Sequence, residues 1–233
     1  MAVGGWQQNA GGTLNYKGFD SDDDIDIADD LDYDSETRVM GRVKIDMPLM
    51  VPNIYIIAAP MEFEGTGRKN VSFTFGEVEF SSGADFDSKV TLNQYDLAFY
   101  YGIPAINTAT AGMLNIDVGL NARFVDFSAE ITGEENLTST TVTEEESLSI
   151  VIPMAYAAVQ ITPMDRFAFE AEARAISISG NSLYSIIGRV RVNLPGPAFI
   201  AGGYRHDEID IDEDDILLEA RFSGPFLEVG LAF

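Results

Sequence analysis

The sequence predicts an all-β protein: a transmembrane, antiparallel, up-and-down β-barrel of ten strands. Three observations predict it. The hydrophobic period is two almost everywhere. Tight proline-marked junctions alternate along the chain with long or acidic connections. A mean hydropathy of +0.03 coexists with a net charge of −24, so apolar and acidic residues must be segregated in space. The clearest strand is Leu114 to Phe124, with Leu114, Ile116, Val118, Leu120, Ala122 and Phe124 on one face and Asn115, Asp117, Gly119, Asn121 and Arg123 on the other. A helix would scatter those apolar residues around its cylinder.

In chain order, strands are expected near Ala2–Tyr16, Thr37–Met47, Asn53–Glu64, Lys89–Ile103, Met113–Ile131, Ser147–Thr162, Arg166–Ser179, Ser182–Leu194, Ala198–His206 and Ile216–Phe233. Alternation is strict in Val39–Met47, Tyr95–Ile103, Phe167–Arg174 and Gly188–Leu194, and least regular in the first and third strands. Pro48 with Pro52, Pro104, Pro163, and Pro195 with Pro197 mark four tight junctions. Between them, Phe19–Glu36 holds ten acids and no base, Glu134–Glu146 five, and Asp207–Asp215 seven. One side is thus clipped and the other long and acidic, as in barrels with short periplasmic turns and longer external loops. Four turns and five loops give ten strands with both termini on the clipped side, in one barrel domain over residues 1–233. Counts of eight or twelve stay open. Val71–Phe75 and Val78–Phe80 read as a hairpin extending the second external loop. Each strand has at least about nine residues, the length a tilted crossing needs.

Composition removes several function classes. Thirty-eight acids against 14 bases, with a pI near 4.1, repel nucleic acid. Hydrophobic residues at 46% and aromatics at 11% are too abundant for a disordered acidic chain. The lack of cysteine removes thiol catalysis, disulfides and cysteine-ligated zinc. The longest apolar run, Leu148 to Ile161, is interrupted by Ser149, Pro153 and Gln160 and is shorter than the roughly 18 residues of a spanning helix. The N-terminus shows no signal-peptide pattern, which an exported protein would have lost on processing.

If the apolar face meets lipid, the opposite face lines the barrel. It then collects Arg42, Lys44, Asp46, Glu62, Glu64, Asp96, Asp117, Arg123, Glu170, Glu172, Arg174, Arg189, Arg191, Arg205, Glu219, Arg221 and Glu228, a nearly neutral set. A Gly180-Asn181 two-residue turn would set Glu172 opposite Arg189 and Glu170 opposite Arg191. Ten strands enclose little more than side chains can fill, so a salt-bridged polar core is expected.

Several stretches resemble a family of bacterial outer-membrane β-barrels of uncharacterised function known by a Gly-Gly motif. They are Gly4-Gly5-Trp6, Leu92 to Tyr101, Asn115 to Phe124, and the ending Gly224-Pro225-Phe226 to Phe233. The resemblance implies location in the outer membrane of a Gram-negative cell envelope and a barrel fold; it supplies no catalytic residues. The terminal strand, with Leu227, Val229, Leu231 and Phe233 on one face, looks like the signal read by the barrel-assembly machinery.

His206 is the only histidine, so a multi-histidine metal site is excluded and a rim histidine beside Asp207 and Glu208 is expected. No catalytic arrangement or cofactor is read from the sequence. In Asp20-Ser21-Asp22-Asp23-Asp24-Ile25-Asp26, Ile25 stands where an EF-hand needs glycine. Loose Ca2+ or Mg2+ binding at Asp20, Asp22, Asp24 and Asp26 is the remaining metal expectation. Interfacial girdles are expected from Tyr55, Tyr101, Phe167, Phe199 and Phe233 at the short-turn ends and from Phe63, Tyr95, Phe124, Tyr204 and Phe222 at the loop ends. The function expected is that of a non-enzymatic, monomeric envelope barrel. Its partners would be outer-membrane lipid, lipopolysaccharide and divalent cations at acidic loops. The alternatives are a narrow, porin-like, cation-preferring channel and a soluble acidic β-protein, which would need no detergent.

Overall fold

A computed structural model of the chain describes residues 1–16, 24–28, 30–48, 50–138, 140–213 and 216–232. The elements are β1 (Ala2–Tyr16), β2 (Ile25–Asp26), β3 (Glu36–Ile45), β4 (Asn53–Ala59), β5 (Glu62–Arg68), β6 (Phe73–Phe75), β7 (Val78–Phe80), β8 (Asp85–Gly102), α1 (Pro104–Ala109), β9 (Leu114–Glu134), β10 (Thr141–Met164), β11 (Phe167–Ile178), β12 (Asn181–Asn193), β13 (Ala198–Glu213) and β14 (Ile216–Leu231). Each strand of the series β1, β3, β4, β8 to β14 pairs antiparallel with the next, and β14 returns to β1 from Ala2↔Gly230 to Tyr16↔Ile216. The result is a closed ten-stranded antiparallel barrel with no sheet edge left between first and last strands. No described helix is long and apolar enough to cross a membrane.

Three additions decorate the ring. β5 carries β4 onward against β8 after an interruption at Pro60, which has no N–H to give a ladder. There the β3–β4 ladder has already ended at Gly41↔Ala58, and side chains replace it: Gln8 Nε2 donates to the Pro60 carbonyl at 2.9 Å and Arg38 Nη2 to the Glu62 carbonyl at 3.1 Å. β2 adds a two-residue ladder to β1, and β6–β7 is the hairpin expected in the second long connection. Both termini lie at the end of the four proline junctions. The Pro104 junction is longer than a tight turn, because α1 occupies it. The acidic connections are shorter than the sequence suggests: Glu144–Glu146 and Asp207–Glu213 lie on strands, which extend beyond the apolar belt.

The barrel has two halves of opposite polarity. Toward the proline turns, the outside is apolar (Leu120 is 73% and Leu227 63% exposed) while Asp117, Arg123, Glu170 and Glu228 are buried inside. Toward the loops, Asp126 and Glu130 face out while Val125, Ala129 and Ile131 are buried within. Both patterns occur on β9 with no break in its pairing to β10. The strand keeps its period of two, and only the chemistry of its two faces exchanges after Phe124.

That exchange corrects four expected lining residues. Glu62, Glu64, Glu219 and Arg221 face outward, because they belong to the upper half, where the outer face is the polar one. Tyr55, Phe63, Phe199 and Phe222 are correspondingly buried inside and are not girdle residues. Tyr101 and Phe167 below, and Tyr95, Phe124 and Tyr204 above, do face outward at the two margins of the apolar belt. Phe233 lies outside the described residues.

The β11–β12 register is also corrected. Ile178 pairs with Asn181, so the turn is Ser179-Gly180 and Glu170 stands opposite Arg189. Both turn residues have positive φ, 54° at Ser179 and 96° at Gly180, as a primed hairpin turn requires, and glycine takes the second place. Replacing Gly180 by Val, which resists a left-handed backbone, should cost about 1–2 kcal/mol. The check is the urea midpoint of the refolded variant against the parent, with Ser179→Asn expected to raise it slightly.

Candidate functional site

The residues with chemistry converge inside the barrel, in three levels. The alternation of β9, β11, β12 and β13 turns every second side chain inward, so neighbouring strands stack charges of opposite sign at one height. At the waist, Arg123 holds Asp96 through two parallel bonds of 2.9 Å, and Asn121 Nδ2 donates to the same carboxylate at 2.7 Å. Arg205 binds Asp207 through Nε at 2.9 Å and gives Nη2 to Gln94 Oε1 at 2.8 Å. Arg189 Nη1 reaches Glu172 at 2.5 Å and Glu170 at 3.0 Å. Arg191 joins Glu170 at 3.1 Å, so both charge pairs expected from the sequence are in contact, the Glu172–Arg189 pair across the diagonal of the shifted register. Arg174 binds Glu172 at 3.2 Å between the rings of Tyr55 and Tyr156, and Arg42 binds Glu228 at 2.6 Å.

Arg123, Arg174, Arg189 and Arg205 are buried, as are Asp96, Glu172 and Asp207. A lone charge there would carry a large desolvation penalty, and pairing is what makes burial tolerable. Asp207 and Glu228 belong to this network: Asp207 looks like a loop acid in the sequence because Glu208 and five further acids follow it. Gln8, Gln94 and Tyr55 complete the layer, and none carries a sequence signal beyond its parity on a strand.

Below the waist, a polar vestibule of about 580 Å3 opens at the proline-turn end, lined by Lys44, Asp46, Asn115, Asp117, Gln160 and Arg191. Lys44 Nζ lies 4.7 Å from the centre of the Tyr55 ring and 3.8 Å from Glu172.

Above the waist the interior turns apolar. Leu14, Phe63, Leu92, Val125, Ile209 and Phe222 are buried around the axis, and Phe63 stacks on Phe222 at 5.8 Å. A strap, described over residues 24–28 and 30–35, roofs this chamber. Its Ile25, Ile27 and Leu31 are buried inward, and Tyr33 stacks on Phe63 at 5.8 Å. Burial pushes the Tyr33 phenol up to about 12. Gly65 and Gly67 of β5 are the seat of the strap: a Cβ at either would collide with the carbonyl of Leu31 or Asp30.

Of the four acids expected to hold a cation, Asp20 and Asp22 lie outside the described residues. Asp24 accepts from Asn15 Nδ2 at 2.8 Å, and Asp26 Oδ1 accepts from the Ala28 N–H at 2.8 Å. They shape the strap rather than converge, and no group of three metal-binding side chains occurs among the described residues. His206 faces outward just above Tyr204, 3.3 Å from Glu208 Oε2, which also accepts a short bond from Tyr184. Outside the upper half, Glu64, Lys89, Glu130 and Glu145 form one row across four strands. Lys89 Nζ binds Glu64 at 2.7 Å, which holds that carboxyl below its ordinary value.

No family model matches the chain, and no curated protein matches it in sequence. Among solved structures, it is similar to the translocator domain of the autotransporter NalP from Neisseria meningitidis, at 11% identity over 100% of this chain and 88% of that one, TM-score 0.46. It is also similar to the Pseudomonas putida toluene transporter TodX, at 7% identity over 98% and 87% of the two chains, and to the CymD monoaromatic hydrocarbon channel, at 6% over 100% and 88%, each with TM-score 0.26.

The waist pairs differ sharply in what their removal does. Asp96→Ala leaves the buried Arg123 guanidinium without its carboxylate and should cost about 3–5 kcal/mol. The double replacement Asp96→Leu with Arg123→Met should recover most of that loss. Urea unfolding followed through the fluorescence of Trp6, the only tryptophan, measures both.

Proposed function

We propose that this chain is an integral outer-membrane β-barrel, monomeric and non-enzymatic, that anchors an acidic outer head and is closed to solute passage. The observation that carries the reading is the apolar belt around one half of a closed barrel whose other half is polar outside. Such a belt exposes Leu120, Phe99, Phe169 and Leu227 to a degree that water would penalise and hydrocarbon would not. The aromatic side chains at its two margins suit the interfaces of a bilayer. The resemblance to the Gly-Gly family supports the same location, with the terminal strand offered to the barrel-assembly machinery.

Closure follows from two dissimilar seals in series. Ion-paired side chains fill the waist, and an apolar chamber with its strap lies above. A cation-preferring channel, the competing reading, needs a continuous polar path, and the chamber interrupts it. The acidic rows of the head then face lipopolysaccharide and its divalent cations on the outer surface.

Two measurements test this. The refolded protein, verified by a heat-modifiable gel shift, should give no stepwise conductance in a planar bilayer; regular steps in the parent protein overturn the closed reading. For the belt, Leu120→Arg should lower stability in lipid by about 2–4 kcal/mol, whereas Glu130→Arg should leave it nearly unchanged. Equal effects of the two would place the belt elsewhere.

A further inference from the structure

We infer that the outer chamber is a binding site for a neutral molecule with an apolar body and a single hydroxyl group, admitted when the strap lifts. The walls are wholly apolar, with Leu92, Phe127, Ile209 and Phe222 facing the axis. The strap's Ile27 and Leu31 fill the space between them, leaving a void of only about 30 Å3. That is room for roughly one small group, so a ligand takes the place of these two side chains rather than joining them.

The floor is what distinguishes the chamber from an ordinary core. On the inner face immediately beneath it stand Gln8, Gln94, Arg205 and Asp207, none more than 1% exposed. Each has one polar atom without a hydrogen-bond partner, and that of Asp207 is ion-paired with Arg123 Nη1 at 3.9 Å. Gln94 Nε2 and Arg205 Nη1 are donors, and Gln8 Oε1 and Asp207 Oδ1 are acceptors. Buried polar groups are normally satisfied, and a mostly apolar pocket with a few converging polar atoms is the usual form of a small-molecule site. A hydroxyl can donate and accept at once, which suits a floor offering both. A carboxylate head would meet Asp207, and an ammonium head would meet Arg205.

The roof is tied to the barrel at separate points, one of them Gln7 Nε2 donating to Ser35 Oγ at 3.2 Å. It joins the barrel by the two-residue ladder Thr13↔Asp26 and Leu14↔Ile25 and by the bond from Ile27 N–H to the Gly12 carbonyl at 2.8 Å. Asn15 and Lys69 add bonds to Asp24. Within the strap, Asp30 Oδ2 accepts from the Asp26 N–H and Asp26 Oδ1 from the Ala28 N–H. Against β5 it rests on Gly65 and Gly67 and on the stack of Tyr33 on Phe63.

Trp6 reports on the floor, since its buried ring lies 4.6 Å from the Arg205 guanidinium. The experiment titrates tribromoethanol, a neutral heavy-atom quencher with one hydroxyl, into the refolded full chain and follows Trp6 emission; bromoform, which lacks the hydroxyl, is the comparison. Saturable quenching that favours the alcohol is expected. Leu31→Ala, which vacates part of the chamber, should tighten it about tenfold, and Leu31→Phe should weaken it. Gln94→Leu, checked for folding by its gel shift, should abolish the preference for the alcohol. Quenching that never saturates and ignores both Leu31 variants would show access from the surrounding amphiphile and overturn the site. Saturation equal for both compounds in the parent protein would overturn the hydroxyl assignment.

Discussion

The constraint on which this structure depends is a change of polarity partway along the barrel's outer wall. On the membrane reading proposed above, the wall below the row of Tyr95, Phe124 and Tyr204 meets hydrocarbon and the wall above it meets water. A β-strand sends successive side chains to opposite faces, so it answers by exchanging the chemistry of its faces without breaking its ladder. β9 does so between Phe124 and Val125 while its pairing with β8 and β10 runs on unchanged. The upper half is thus an ordinary water-soluble barrel with an apolar core, and the lower half is its inverse.

The interior inherits the consequences. In the lower half the polar face has nowhere to go but inward, and a ten-stranded lumen is too narrow to leave those groups in bulk water. They must satisfy each other, which is why arginine dominates: its planar fork can engage more than one carboxylate, as Arg189 does with Glu170 and Glu172. In the upper half an apolar lumen open to water at the top would be unstable, and the strap supplies the missing surface. The two seals differ because the two outer solvents differ.

How much of this was legible in the sequence follows from the same constraint. Leu114 to Phe124 showed its inner and outer faces directly, since its alternation lies within one solvent. The prolines located the short turns, because proline stops a ladder wherever it falls. Glu62, Glu64, Glu219 and Arg221 face outward for one reason: a polar face points inward only below the exchange, and they lie beyond it. Asn53–Ala59 offered no alternation at all, as Ile54 to Ala59 is apolar on both faces, so Tyr55 could not be oriented. The Gly180 turn slipped by one residue because a glycine suits either centre of a primed turn, and only the backbone shows that Ser179 holds the first.

The acidic run before β3 illustrates how charge can mask packing. Its density of aspartates suggests a cation site, yet Ile25, Ile27 and Leu31 are its buried members and the aspartates are what lie between them. Asp26 and Asp30 cap backbone N–H groups that a short, tightly curved segment cannot pair in a ladder. Their charge also keeps the strap's outer surface in water, so the segment can settle on the chamber in one orientation only. A neutral strap with the same three apolar residues would bury itself either way up. Asp24, Asp26 and Asp30 thus form the polar half of an amphipathic strap, and the apolar residues between them match the lumen of the upper half.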